Sequence, residues 1–545
     1  MKRLFLFFIT LFMVNSSVLE GQKNQSSPKL VVGIVVDQMR YDYLYRFNSL
    51  FGENGFKKLM KEGSNFTFAH FNYVPTHTAP GHASIYTGTT PYFHGIISNS
   101  WYDKRLKRTI YCTSDRSFST VGANDSKGQM SPKKLLTTTI TDQLKLATNG
   151  RSKVISIAIK DRAAILPGGH AANAAYWYDS NTGGFITSTF YMQQLPGWVK
   201  KFNDRKLADK YMKSIWKLSY PLKEYEINLP DNKAYEKDLF FENKTTFPHS
   251  FNNIPKNKKR SLLSSTPFGN ELLFNFAKEA LINEHMGQRG QTDFLAIGFS
   301  STDYIGHSYG PNSVEVEDTY VKLDSLISEL IKLLNRQVGN GNYILFLTAD
   351  HGVSENPDFL KQNNIPSGWV NFSVISDSLK SFSKRKFGNI NILENFSNKQ
   401  IFLNYSNINS LKLNLADVRK IYAEYLRSTF TFISQIFIKD FLITHVANRT
   451  SSNFILNGFN PALSGDVAFE LQPGYSSGSF SNRYARHGSG YSYDTHVPLL
   501  FYGWNIPKQT INKPVYIVDI APTLANLLNI TEPSGNIGIP LITKK

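Results

Sequence analysis

One cysteine, Cys112, in 545 residues leaves no intramolecular disulfide to form and excludes a cysteine-rich metal site. Past the N-terminus, no stretch reaches the roughly 18 unbroken apolar residues that a membrane-spanning helix needs. Glycine (36) and proline (23) are too sparse for collagen-like or proline-rich character. Acidic side chains are the minority charge, 42 against 60 basic, leaving a formal charge of +18. The basic residues are dispersed. Their clearest cluster, Lys256, Lys258, Lys259 and Arg260, reads as a solvated loop, so the charge requires no nucleic-acid partner. A basic surface also draws small anions such as phosphate esters toward a cleft.

What is present is a chain with 41% apolar residues, enough to bury a sizeable core. The length fits one large α/β domain with insertions, or two to three ordinary domains. Twelve histidines beside one cysteine mean that a metal site here would use nitrogen and oxygen ligands. At the N-terminus, Lys2 and Arg3 precede the apolar run Leu4 to Val14, and a mostly polar stretch follows. That order is the signature of a secretory signal, here residues 1–22, and the run is too short to span a membrane. No cysteine follows it to carry a lipid. The expected destination is periplasmic or secreted, without a membrane anchor.

Five short apolar runs punctuate the remainder: Leu30 to Val36, Val154 to Ile159, Phe294 to Phe299, Tyr343 to Leu347 and Val497 to Tyr502. Their brevity and their content of Val, Ile and Phe predict buried strands of a mainly parallel sheet. Helical spacing separates them over Leu135 to Ala147, Glu271 to Ile282, Val314 to Leu334 and Val518 to Leu528. The fold class is therefore α/β, a mainly parallel central sheet with helices on both faces. Two stretches, near 170–265 and 370–480, break the alternation and read as inserted segments capping a catalytic domain of residues 28–545. Ligands of such sheets gather at the carboxyl ends of strands. Four of the five runs lead there into Asp37, Lys160, Asp303 or the pair Asp350-His351.

Several of these residues have chemistry suited to a metal. Asp303 and His307 share a face if their segment is helical, and carboxylate plus imidazole suits zinc. The pair alone is weak evidence, since most such spacings are surface hydrogen bonds. Asp37 and Asp350 could instead cap the helices that follow them. Thr78 precedes Ala79-Pro80-Gly81, and a proline suits the first turn of a helix. A hydroxyl placed there lies where anions bind, and metal coordination would make it a nucleophile. Alternatively, Thr78 is only a helix cap.

Taken together and in this order, Asp37, Thr78, Asp303, His307, Asp350, His351 and His487-Gly488 resemble the alkaline phosphatase superfamily. The resemblance is to its threonine-nucleophile bacterial branch, the phosphate-irrepressible (PafA-like) alkaline phosphatases. It extends over almost the whole chain through VVDQMR, VPTHTAPGHASIYTGTTPYFHGI, ISNSWYD, IKDRAAILPGGH, STDYIGH, TADHG and HGSGYSYDTHVPLLFYG.

That resemblance implies an alkaline phosphatase-like fold with two Zn2+ ions. It places Asp303, His307 and His487 on one ion, and Asp37, Asp350, His351 and the nucleophile Thr78 on the other. It places Asn99, Lys160 and Arg162 on the phosphate and gives His496 a structural role. The implied protein is a monomer that hydrolyses small-molecule phosphate monoesters through a phospho-threonine intermediate. A phosphodiesterase or nucleotide pyrophosphatase of the same superfamily is the alternative, and it would lack the Lys-x-Arg pair. A sulfatase is disfavoured, because Cys112 lies in an unrelated context.

Overall fold

Why the apolar runs become strands is visible in their burial. In the computed structural model, which describes residues 27–225, 230–450, 453–478 and 484–543, β1 (Leu30–Val36) is buried at every position. Alternate side chains of a strand point to opposite faces, so a strand with no exposed position belongs to a sheet covered on both. The expected signal segment lies outside the described residues.

In chain order the other strands of the main sheet are β2 (Ser64–Phe66), β3 (Thr120–Val121), β4 (Val154–Ala158), β5 (Ala174–Asp179), β6 (Gly184–Ser188), β7 (Asp293–Phe299) and β8 (Tyr343–Thr348). After an insertion carrying β9 (Leu393–Ser397), β10 (Gln400–Leu403), β11 (Ile433–Ile438) and β12 (Val467–Leu471), the sheet is completed by β13 (Leu499–Gly503) and β14 (Gln509–Ile511). The ten strands run β14-β2-β13-β8-β1-β7-β4-β5-β6-β3. The central five, β8-β1-β7-β4-β5, are parallel. Register brings Val36 level with Phe299 and Val35 level with Thr348, so these strands end along one edge.

The helices that matter for the site are α1 (Thr78–Thr87), α2 (Ile140–Ala147), α3 (Asp161–Gly168), α4 (Pro267–Asn283), α5 (Ser301–Tyr309), α6 (Val314–Gln337), α7 (Phe372–Phe387), α8 (Leu415–Thr429) and α9 (Ile520–Leu528). Helix α6 begins where the Ser313 hydroxyl accepts a hydrogen bond from Val316 N–H. Helix α2 starts later than its spacing suggests, because Thr139 and Asp142 form a capping box.

Three expectations are corrected. Val497 to Tyr502 is not one parallel strand: His496–Val497 joins a small separate sheet, and Leu499–Gly503 runs antiparallel to β8. Of the stretch near 170–265, strands β5 and β6 belong to the main sheet itself. The basic cluster after Pro255 is helical over Lys256–Leu262, not a loop.

The stretch near 370–480 builds its own antiparallel sheet, ordered β9-β10-β12-β11. Leu379 of α7, Tyr422 and Leu426 of α8 and Val467 of β12 close a separate apolar core there. Cys112 is sealed in another small core with Ala79, Ile97, Trp101 and Leu166. No helix among the described residues is long and apolar enough to cross a membrane.

Candidate active site

The level strand ends place four carboxylate- or amine-bearing positions side by side. Asp37 follows β1, Lys160 follows β4, Asp303 lies in the first turn of α5 after β7, and Asp350-His351 follows β8. Helix α1 brings Thr78 over this edge. Its approach is close enough that a Cβ on Gly81 would meet the Asp350 carbonyl oxygen at 2.2 Å, so only glycine fits. His77 is the residue before the helix, and Thr78 opens it as the first helical residue.

All seven residues proposed for metal binding converge. The Thr78 hydroxyl lies 3.5 Å from His351 Nε2. That nitrogen is 3.5 Å from Asp37 Oδ1 and 3.5 Å from Asp350 Oδ2. On the other side, Asp303 Oδ1 is 3.1 Å from His307 Nε2 and 3.6 Å from His487 Nε2. The His351 and His487 rings stack with centroids 3.5 Å apart, joining the two halves.

The tautomers carry the chemical content. His307 Nδ1 faces the Ala485 carbonyl at 2.5 Å, His351 Nδ1 that of Gly352 at 2.9 Å, and His487 Nδ1 that of Thr76 at 2.7 Å. A carbonyl can only accept, so each Nδ1 carries a proton. Burial, above all, lowers the pKa of His351 to about 3 and holds His487 well below the usual imidazole range, so both rings are neutral. Their Nε2 lone pairs therefore point at carboxylate oxygens, acceptor toward acceptor. That arrangement is repulsive unless a cation lies between.

The carboxylates make the same demand. Asp37 Oδ1 and Asp350 Oδ2 are buried without a hydrogen-bond partner, and Asp37 Oδ2 is met by the Lys160 ammonium. Burial raises Asp37 to about 6 against the pull of Lys160, and raises Asp350 well above the carboxylate range, with Asp37 adding repulsion. Burial also pushes Asp303 upward, but His307 and Lys160 outweigh it and hold Asp303 well below. Three oxygen and nitrogen sets lie within 4.8 Å among themselves: Asp303/His307/His487, Asp37/Asp303/His351 and Asp37/His82/Asp350. Buried charge without compensation costs several kcal/mol or more per ion, on the order of magnitude found for buried ions generally. Hard oxygen and imidazole donors with free lone pairs thus fit divalent transition-metal ions.

The phosphate candidates behave differently from one another. The Asn99 amide oxygen accepts from Ala79 N–H at 2.8 Å, which leaves its NH2 as a donor beside Thr78. Arg162 donates to the Tyr111 hydroxyl at 3.1 Å, while its buried Nε–H has no partner. The Lys160 ammonium lies 2.7 Å from Asp37 Oδ2 and 2.6 Å from Asp303 Oδ2, between the two carboxylates. Helix α3, which begins just after Lys160, packs on α1. His496 stacks on His70 and on Tyr41, and its Nε2–H donates to the Thr67 carbonyl at 2.9 Å.

Two residues went unassigned in the sequence. His82 is one turn beyond Thr78, buried, with Nε2 3.7 Å from Asp350 Oδ2. Its i,i+4 spacing from Thr78 was the available signal. Gln38 donates from its side chain to Asp303 Oδ1 at 2.7 Å and from its backbone to Asp350 Oδ1 at 3.1 Å. To do both it adopts φ 66°, a left-handed conformation that a non-glycine residue holds only when its surroundings enforce it.

Comparison with known proteins places this site in context. The family model described as type I phosphodiesterase / nucleotide pyrophosphatase matches residues 31–476. The chain is 45% identical to the alkaline phosphatase PhoV of Synechococcus elongatus over 94% of its own length and 92% of that protein. It is 41% identical to the alkaline phosphatase PafA of Elizabethkingia meningoseptica over 97% of both chains. The crystal structure of wild-type PafA superposes with a TM-score of 0.90 at 40% identity, covering 95% of this chain and 98% of that one. A PafA variant with one threonine changed to serine and one asparagine, one lysine and one arginine changed to alanine superposes with a TM-score of 0.89.

Proposed function

The chain belongs to the type I phosphodiesterase / nucleotide pyrophosphatase family within the alkaline phosphatase superfamily and is an alkaline phosphatase, and from that premise we propose that it cleaves phosphate monoesters through Thr78. The observation that carries this is the pair of neutral imidazoles, His351 and His487, aiming lone pairs at the buried carboxylates beside the Thr78 hydroxyl. Asp303, His307 and His487 would hold one zinc ion, and Asp37, Asp350, His351 and Thr78 the other. Bound there, divalent cations would lower the pKa of a coordinated hydroxyl and neutralise charge on the leaving oxygen.

The chain's own groups supply the remainder. Thr78 attacks phosphorus in line, the ester P–O bond breaks, and the alcohol leaves. Water then attacks the phospho-threonine, releasing inorganic phosphate and restoring the hydroxyl. Asn99 and Arg162 donate to the non-bridging oxygens, Arg162 with the bidentate geometry its guanidinium favours. Lys160 contributes a positive charge at the same edge. A donor aimed at charge that develops in the transition state is worth about 3–4 kcal/mol. Thr78, Asn99, Lys160 and Arg162 are the four residue types exchanged together in the PafA variant. A dianionic monoester gains more from these donors than a diester with one oxygen blocked.

Secretion through the N-terminal segment, a periplasmic or external location and a monomeric state belong to the same proposal. The test is hydrolysis of p-nitrophenyl phosphate against bis-p-nitrophenyl phosphate with zinc supplied. The monoester should dominate. Preference for the diester would establish the phosphodiesterase that the family model's description also covers. Arg162→Ala should depress monoester turnover far more than diester turnover.

A further inference from the structure

Gln38 stands between the two proposed zinc sets and touches a carboxylate of each. Its side-chain NH2 donates to Asp303 Oδ1 at 2.7 Å, and its backbone N–H donates to Asp350 Oδ1 at 3.1 Å. Resting on the metal reading above, we infer that Gln38 is a positioning residue for zinc. Its amide sets the rotation of the Asp303 carboxylate toward His307 and His487, and its backbone ties Asp350 to the same point.

The backbone supplies one half of the argument. Gln38 follows Asp37 directly and holds φ 66°. Glycine would hold that angle without strain, so the turn alone does not call for glutamine. A non-glycine residue kept in this region points to a function for its side chain. Its surroundings enforce the conformation: the Tyr320 hydroxyl donates to the Gln38 carbonyl at 3.4 Å, and the Thr302 hydroxyl donates to that of Asp37.

The side chain supplies the other half. Gln38 is buried, and a Cβ on Gly306 would meet its Oε1 at 1.9 Å. The amide is therefore seated on α5 where only glycine leaves room, with its NH2 toward Asp303 of the same helix. Asp303 Oδ1 is the oxygen that faces both imidazoles, 3.1 Å from His307 Nε2 and 3.6 Å from His487 Nε2. The other oxygen is met by the Lys160 ammonium at 2.6 Å. These two donors differ in charge. An ammonium repels a divalent cation arriving at this edge, whereas a neutral amide orients the same carboxylate without that repulsion.

The experiment measures the zinc dissociation constant of the folded protein by competition with a chromophoric chelator, well below the melting temperature. Gln38→Met keeps the length of the side chain and removes its donor. Gln38→Gly also removes the donor, but relieves the backbone and keeps the N–H that holds Asp350. Both variants should bind zinc about 10- to 100-fold more weakly. The kcat/KM they lose at low free zinc should return in part as zinc is raised. A residue that served only the fold would instead lower the melting temperature of the chelator-stripped protein and leave the zinc constant unmoved. An unchanged zinc constant in either folded variant overturns the inference, and Gln38→Gly decides alone if the methionine variant misfolds. Failure of the unaltered protein to bind zinc would overturn the metal reading itself, a result seen before any variant is made.

Discussion

Lys399, at the turn between two strands of the cap sheet, donates a hydrogen bond of 3.1 Å to the carbonyl of Gly488, the residue after His487. The same ammonium is clamped by Glu470. Gly488 itself has φ 115° and sits where a Cβ would press on His77 Nε2 at 2.7 Å, so this loop has little freedom of its own. The inserted antiparallel sheet thereby anchors the loop that carries His487, a proposed metal ligand. Lys399→Met should leave the protein folded yet reduce kcat/KM by about 10- to 100-fold, the usual range for residues that orient a ligand. Metal analysis should show less zinc per chain, a change that loss of packing alone would not produce.

Thr78→Ala removes the proposed nucleophile from the first turn of its helix. Turnover of p-nitrophenyl phosphate should fall by roughly 10³-fold or more. Thr78→Ser should retain much of it. Phosphate labelling of the acid-quenched enzyme should mark the unaltered chain and not the alanine variant.

Metal removal should abolish activity and leave the buried carboxylates facing one another around Lys160. Asp350 is the most exposed to this penalty, since burial and Asp37 both raise its pKa. In metal-free protein the native state then holds a proton that the unfolded state has lost, so stability falls as pH rises above the ordinary carboxylate range. Asp350→Asn should remove that slope, raising metal-free stability by roughly 1–4 kcal/mol at alkaline pH, and should weaken zinc binding. Denaturation with and without chelator checks both halves.

Glu236 offers a pH test away from the metal sets. Burial, reinforced by Glu315, raises it to about 8 from 4.5. Between those values the folded state binds more protons than the unfolded state. Stability is therefore lost as pH climbs through the window and is not regained above it. Glu236→Gln should stabilise the protein at pH 9 by on the order of a few kcal/mol and change little at pH 4. Melting curves at the two pH values decide it.

The runs LVVGIVV and FLAIGF are legible as strands because burial on both faces removes any polar alternation. Direction is not legible from the same signal: LLFYG is as apolar as its neighbours and runs antiparallel. Strands β5 and β6 escaped because AAYWYD and GFITS carry polar residues within a stretch rich in Tyr, Trp and Asn. Asp37, Asp303 and Asp350-His351 are conspicuous because parallel strands end on one edge. His82 is hidden by sharing a helix with Thr78, and the contacts of Lys160 with Asp37 and Asp303 depend on distances that no spacing in the chain encodes.

The lone thiol has a use that comes from its confinement. Cys112 is 1% exposed, and burial pushes its pKa up to about 12. Alkylating reagents and mild oxidants should thus leave catalysis untouched. Only when the layer between Trp101 and Leu166 opens does the sulfur become reachable, which makes it a built-in clock for how often this enzyme breathes.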